Sequence, residues 1–357
     1  MEKDYSVIDL FKIASSYYKF IGINLFEFKI IKLQKRRQKL VMFLRYCYFF
    51  FCVFSIIALS VLNLMIQLSK PDEPKDFTFI LSGFSIAFKS LYIFIKRRKF
   101  CEIILELQKN FKNTTIKKYQ ISDLLKYMRF YRICCIASAS AMSLRMIVVM
   151  FTEDLSVIED TIYVLYKVKP FYIFLRIWFL IIITSSTFVL FSNTVIIITF
   201  FRILAVAFEN LNVDILMLNY ENSENILVKK HFKILEFSKK LENLLSFMLL
   251  IHFGEISGVI GGAGIQVINN TMFYRKIIYF LLTSERLYQV LVICYFGQKI
   301  VNANKINREM LYNNMWYDWR NRKTKTLLLM LLYTQKCVCI KSLGLKKISL
   351  RTFMKVS

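Results

Sequence analysis

Residues 171–201 read FYIFLRIWFLIIITSSTFVLFSNTVIIITFF, a run whose one charge is Arg176 and which holds neither glycine nor proline. As an α-helix this run would be about 46 Å long, against a bilayer hydrocarbon core of roughly 30 Å. It is far too long for a strand, and a helix apolar on every face has to be buried in protein or lipid. The stretch therefore reads as a membrane-spanning helix that tilts or continues beyond the bilayer.

Further apolar runs flank it on both sides. They lie near 40–66, 77–95, 127–151, 244–268 and 277–301, and a last one, 327–357, is broken by Lys336, Lys341, Lys346 and Lys347 before it can form a full span. The composition agrees: 56% of residues are hydrophobic and mean hydropathy is +0.46, above the roughly 45–50% apolar content of a soluble domain. With 34 Phe, 20 Tyr, 9 Gly and 3 Pro, collagen-like and disordered classes are excluded. The expected fold is all-α: a multi-pass helical membrane bundle of seven spans, the seventh incomplete, making one integral domain over 1–357.

The net charge of +26 would suggest a nucleic-acid partner in a soluble protein. Its distribution gives a different answer. Segment 1–39 and the second, fourth and sixth loops hold thirty Lys and Arg, whereas the first, third and fifth loops hold six. The positive-inside rule then places the N-terminal segment and the even loops in the cytoplasm. This is the inverse of a G-protein-coupled receptor, and the lipid bilayer accounts for the charge without nucleic acid. Segment 1–39 is too polar, and 40–66 too long, for a signal peptide; the first span acts as an uncleaved anchor. Val7, Leu10, Phe11, Ala14, Tyr17 and Tyr18 recur at helical spacing, and this stretch is expected to lie on the membrane surface.

Residues suited to catalysis are sparse. Of the cysteines, Cys47, Cys52, Cys101, Cys134, Cys135, Cys294, Cys337 and Cys339, most fall within spans, where Cys acts as a small hydrophobe. None lies in an odd loop, so no extracellular disulfide is expected. Cys337-Val-Cys339 lacks partner ligands at metal spacing; no metal or cofactor is expected, nor an enzyme. His231 lies in a charged cytoplasmic stretch and reads as solvated. His252 and Glu255, one helical turn apart in the fifth span, read as a buried polar contact between helices, with a proton relay as the functional alternative. Gly258-x-x-x-Gly262 marks a close helix crossing. Arg45, Lys89, Arg129, Arg132, Arg145, Arg176, Glu285 and Arg286 are further charges inside spans, each facing an interface, a cavity or a partner. Of two glycosylation sequons, Asn113-Thr114-Thr115 is cytoplasmic in this topology, and Asn269-Asn270-Thr271 is outside but close to the membrane.

The last sixty residues carry a more specific pattern. Cys294-Tyr295-Phe296-Gly297-Gln298 closes the sixth span, followed by Tyr312, Trp316-Tyr317, the basic Arg320, Arg322 and Lys323, the 327–332 leucine-rich run, Gln335-Lys336 and Ser349-Leu350-Arg351-Thr352-Phe353. Their order and spacing resemble the carboxy-terminal signature of the insect odorant receptors. His231-Phe232-x-x-Leu235 with Phe237 and Leu241-Glu242 is similar to that family's approach to its fifth span. The resemblance implies an odorant-gated, non-selective cation channel of the olfactory neuron's plasma membrane, assembled with a shared co-receptor as a heterotetramer. It implies that the fourth to sixth helices and the first part of the seventh build a cytoplasmic subunit anchor, and that the final helix lines the pore. On this pattern Gly297, Gln298, Tyr312, Trp316, Tyr317, Gln335, Thr352 and Phe353 are anchor and signature residues.

The family's pattern continues for about another helix past the Thr-Phe element, so the sequence is expected to represent a receptor shortened in its pore helix. The resemblance further implies an odorant pocket in the outward half, between the second, third, fourth and sixth helices. The family has no motif for the ligand, and depth alone nominates Phe79, Met142, Arg145, Phe174, Trp178, Tyr279 and Leu282, because volatile ligands are held mainly by apolar and aromatic contacts. The alternatives are a gustatory receptor of the same superfamily, a non-conducting shortened odorant receptor and, more distantly, a multi-pass transporter or enzyme. Transporter half-repeats and a membrane-facing His/Asp cluster are not seen in the sequence.

Overall fold

The computed structural model describes residues 10–12, 36–69, 77–110, 118–130, 133, 172–216, 224–269, 273–313, 321–335, 338–342, 346–351 and 354. Long helices dominate: α1 (Arg36–Ser69), α2 (Thr78–Asn110), α3 (122–130, entered through a 3-10 turn at Lys118–Ile121), α4 (Tyr172–Leu216), α5 (Glu224–Asn269), α6 (Phe273–Asn313) and α7 (Asn321–Gln335). Three of them, among the described residues, have segments long and apolar enough to cross a membrane: Phe43–Leu62, Val189–Leu216 and Ile226–Asn269.

α2, α4, α5 and α6 run past their apolar stretches at the end of the bundle where Lys and Arg concentrate, here called the basic end. No Gly or Pro interrupts 96–110, 202–216, 224–243 or 302–313, so nothing in the chain stops these helices where the apolar run stops. The seventh run behaves differently. Its helix ends at Gln335, and Lys341–Ser342 (β1) then pairs antiparallel with Lys346–Lys347 (β2). The expected break in this run is therefore a two-residue ladder rather than a distorted helix. Ile348 N–H closes it by donating to Ile340 O at 3.0 Å.

α4 is the hub. It packs against α6, α5, α2 and α1, and every residue from Val189 to Phe208 is buried. Over that stretch its surface is enclosed by protein, whereas Ile181, nearer its start, is exposed. Phe191, Phe200, Phe201 and Phe208 are among the largest fully buried side chains. Outer helices keep one face uncovered: on α1, Phe43 and Phe54 are 62% and 73% exposed, the faces that bilayer lipid would cover.

The N-terminal stretch departs from expectation. Leu10 and Phe11 are fully buried, and the Phe11 ring lies 4.5 Å from that of Phe200. Where the structure describes it, this stretch docks its apolar residues into the protein core rather than onto a membrane surface. Val7, Ala14, Tyr17 and Tyr18 lie outside the described residues.

Glycines mark where helices meet. A Cβ on Gly258 would approach Leu81 Cδ1 to 2.8 Å, and one on Gly262 would approach Thr78 Oγ1 to 2.9 Å. The close crossing anticipated at this motif is the contact of α5 with the first turns of α2. Gly297 faces backbone as well as side chain: a Cβ there would lie 2.8 Å from both Cγ2 and the carbonyl oxygen of Ile348. The signature glycine of α6 thus makes room for the chain just beyond β2.

Candidate functional site

The ligand candidates distribute over three helices. Phe79 lies in the first turn of α2, Phe174 and Trp178 near the start of α4, and Tyr279 and Leu282 near the start of α6. All five are at the end opposite the basic end, and α4 contacts both α2 and α6. Met142 and Arg145 lie outside the described residues. Trp178 is half-buried. Its ring centroid is 6.3 Å from that of Phe51, and its Nε1, itself buried, has no hydrogen-bond acceptor among the described residues. Tyr279 is buried, and its carbonyl accepts from the Thr283 hydroxyl at 2.8 Å.

Inward of these residues the structure brings charges together. Lys89 on α2, Glu255 on α5 and Arg286 on α6 are 0%, 4% and 4% exposed. Counting 1.5 Å per residue from the outer ends of their apolar runs, at 77, 268 and 277, they would sit roughly 14–20 Å deep, toward the middle of a bilayer's apolar core. Glu255 holds both cations: Lys89 Nζ pairs with Oε2, and Arg286 Nη1 lies 3.4 Å from Oε1. The Ser85 hydroxyl also donates to Oε2, at 2.7 Å. Lys89 Nζ is 2.9 Å from His252 Nδ1. On α6, Arg286 Nη1 is 3.5 Å from Gln289 Oε1, a weak contact at that length, and Gln289 Nε2 donates to Glu285 at 3.0 Å.

One expectation is revised here. His252 and Glu255 are bridged by Lys89 rather than paired with each other, because the ammonium from α2 enters between them. Of the alternatives open to charges inside spans, Lys89 and Arg286 take a partner, since both point at a carboxylate inside the bundle. Ser85 and Gln289 carry no sequence signal for this role, whereas the charges were visible as charges.

A second ionic cluster ties the basic end. Arg202, at the inner end of the α4 apolar run, is 5% exposed. Its Nη1 donates to Glu209 at 2.6 Å, its Nε is 3.3 Å from Asp123 Oδ1, and its Nη2 donates to the Gln120 carbonyl. Lys299 of α6 also pairs with Asp123. Here two cations meet two carboxylates, so the formal charges balance. Asn212 and Asn307 join α4 to α6 nearby, at 2.9 Å.

His231 overturns its reading as a solvated residue. It is fully buried, and neither ring nitrogen has a partner among the described residues. The helical stretch that carries it is charged, but α5 packs there against α7 and β1, where Phe232 meets Tyr333 edge-on at 4.9 Å. Burial pushes the His231 imidazole down to about 4, so it is neutral at physiological pH.

Among the signature residues, Gly297 is buried against Ile348 and Gln298 Nε2 donates to Asn302 at 2.8 Å. Tyr312 and Gln335 line a cavity of about 560 Å³ between α6 and α7, floored by Leu328, Leu331 and Leu332. Trp316, Tyr317, Thr352 and Phe353 lie outside the described residues. None of these arrangements, among the described residues, is a set of groups for covalent catalysis.

The model of the 7tm odorant receptor family matches residues 75–357. The chain belongs to the odorant receptor family. This separates it from the gustatory receptors, and membership makes it a multi-pass membrane protein and not an enzyme. Over 143 residues, 39% of the chain, it is 29% identical to odorant receptor 92a of Drosophila melanogaster. Over 141 residues it is 30% identical to odorant receptor 67c of the same species. Each match spans 35% of the relative's own length. The fold is similar to that of the olfactory receptor OR5 from Machilis hrabei, with a TM-score of 0.71 at 12% identity, covering 98% of this chain and 96% of that one. The same receptor solved in complex with eugenol gives a TM-score of 0.71 at 11% identity. At such identity the likeness concerns the odorant receptor fold alone. The long helices, the central α4 and the extensions at the basic end are this family's architecture as this chain builds it.

Proposed function

We propose that this odorant receptor is the ligand-binding subunit of an odour-gated, non-selective cation channel in the plasma membrane of olfactory sensory neurons, working as a heterotetramer with a shared co-receptor. The observation that carries the reading is a bundle matched nearly end to end by a receptor that has been solved with a small volatile phenol, eugenol, bound. The odorant occupies the outward half of the bundle, among Phe79, Met142, Arg145, Phe174, Trp178, Tyr279 and Leu282. The basic end faces the cytoplasm, as the thirty-to-six division of Lys and Arg supports. There the helix extensions form the anchor between subunits, with Gly297, Gln298, Tyr312, Trp316, Tyr317, Gln335, Thr352 and Phe353 in or beside it.

The test is electrophysiological. Cells expressing the receptor with the co-receptor should pass cation current when given an active odorant, and cells expressing the co-receptor alone should not respond to the same compound. Silence across a broad volatile panel, with both chains at the surface, would overturn the reading. Orientation has its own check: an epitope at the N-terminus should stain only permeabilised cells, and staining of intact cells would reverse the topology.

A further inference from the structure

The charge cluster between α2, α5 and α6 is unbalanced. Lys89 and Arg286 bring two cations to one carboxylate, Glu255. Glu285 does not restore the balance: it is half-buried, reaches the cluster only through Gln289, and forms no ion pair with either cation among the described residues. A buried formal charge without a counter-charge is expensive. At the basic end, by contrast, the buried Arg202 meets two partly exposed carboxylates, Asp123 and Glu209, so its charge is matched there.

Hydrogen bonding points the same way. The Lys89 ammonium can only donate, so His252 Nδ1, 2.9 Å away, must accept. The ring proton then sits on Nε2. His252 Nε2 and Arg286 Nε are buried and have no hydrogen-bond partner among the described residues; Glu255 Oε1, also without a hydrogen bond, is held by its ion pair with Arg286. Two buried N–H donors and one surplus positive charge therefore surround a single carboxylate. The missing group is an acceptor with negative charge.

The location suits a ligand. Ser85 lies six residues inward of Phe79 on α2, and Arg286 seven residues inward of Tyr279 on α6. Along the helix axes Ser85 is thus about 9 Å and Lys89 about 15 Å deeper than Phe79, and Arg286 about 11 Å deeper than Tyr279.

We propose that the Lys89–His252–Glu255–Arg286 cluster is a binding site for a small monovalent anion at the inner end of the odorant pocket, which tunes the receptor to odorants carrying a carboxylate. This rests on the odorant-receptor reading and adds the ligand's chemical class. The carboxylate of a short carboxylic acid would take the orphaned donors, and its apolar tail would extend outward from the cluster toward the level of Tyr279. Inorganic chloride shares the charge and the acceptor character without the tail.

Both sources can be separated by thermal unfolding of the purified full-length receptor, which needs neither the co-receptor nor channel opening. The probes are sodium hexanoate, hexanal, 1-hexanol, sodium chloride and sodium methanesulfonate. Millimolar hexanoate should raise the midpoint by about 3 °C, with the neutral six-carbon compounds giving little. Arg286→Met, which leaves Lys89 and Glu255 balanced, should abolish that shift. Arg286→Lys, which keeps the charge, should retain most of it. Lys89→Met is the second neutralising variant should Arg286→Met fail to fold, and it too should lose the shift. If chloride against methanesulfonate reproduces the full effect and depends on Arg286 in the same way, the anion site stands with an inorganic occupant.

Equal protection by hexanal or hexanol and hexanoate, unchanged in Arg286→Met and Lys89→Met, would overturn the proposal while leaving the odorant pocket intact. So would protection by the neutral compounds alone. Failure of the receptor reading shows elsewhere, as absent odour-evoked current across the panel in co-expressing cells.

Discussion

Glu255 is the residue on which the membrane-embedded polar contacts converge. Replacing it with Gln leaves Lys89 and Arg286 facing each other near the centre of the bundle, and losing one partner of a buried pair costs about 3–5 kcal/mol. Glu255→Gln should therefore lower the thermal midpoint of the purified receptor by several degrees and reduce its surface level, both measurable by size-exclusion profiles after heating. His231 makes a different prediction. Its folded imidazole titrates near 4, below the ordinary ~6.5 of the unfolded chain. Between those values the unfolded state binds more protons, so stability falls as pH drops from about 6.5 to 4 and levels off below. His231→Leu should remove that part of the acid sensitivity, read as a smaller loss of thermal midpoint between pH 7 and pH 4.5. The two histidines also show the limit of sequence reading at this scale. Both sit in helical stretches containing charge, and no local feature of His231 distinguishes a solvated ring from a buried one; the elements α7 and β1, which cover α5, come about a hundred residues later.

At the scale of elements, apolar run length was a good guide to which helices exist and a poor guide to where they end. The run at 171–201 does form helix, but α4 continues to Leu216. Hydropathy reports what lipid or a protein interior will accept; helix termination requires a breaker or a cap, and neither occurs there. The glycines were legible in part. Gly258-x-x-x-Gly262 announced a crossing without naming α2 as the partner. Gly297, read only as part of a signature, turns out to face backbone of the chain beyond β2. At Gly258 an added methyl meets the tip of Leu81, which can rotate away, whereas at Gly297 it meets the backbone carbonyl of Ile348. Gly297→Ala should cost about 1–3 kcal/mol and Gly258→Ala less than about 1 kcal/mol. Thermal midpoints of the two variants, measured side by side, should rank in that order, and the reverse ranking would contradict the geometry.

At the scale of the whole molecule, the helical bundle was readable from the succession of apolar runs, and the alternation of basic and acidic loops supplies the expectation for its orientation, because insertion is governed by charge summed over segments rather than by any one residue. The pocket was not readable to the same degree. Ligand contacts depend on rotations of helices about their own axes, and a helix such as 171–201 that is apolar on every side carries no periodicity to reveal its rotation. Assembly is testable at this scale. Tyr312, 67% exposed, borders the apolar cavity between α6 and α7, and covering that surface is what an inter-subunit anchor would do. Tyr312→Asp should leave the monomer's thermal midpoint within about 1 °C, as an exposed substitution does, while lowering the yield of complexes recovered with the co-receptor several-fold in a pull-down.

The enclosure of α4 has a mechanical consequence. From Val189 to Phe208 every residue of this helix is buried in protein, so that stretch cannot answer a thicker or thinner bilayer by leaning on its own. The strain of hydrophobic mismatch falls instead on the periphery, first on α1 with its uncovered phenylalanines, and reaches the centre only if the surrounding helices move as a body. The receptor is in this sense a stiff mast in a pliable hull, and changes in sterol content or lipid thickness would act on the hull before they act on the mast.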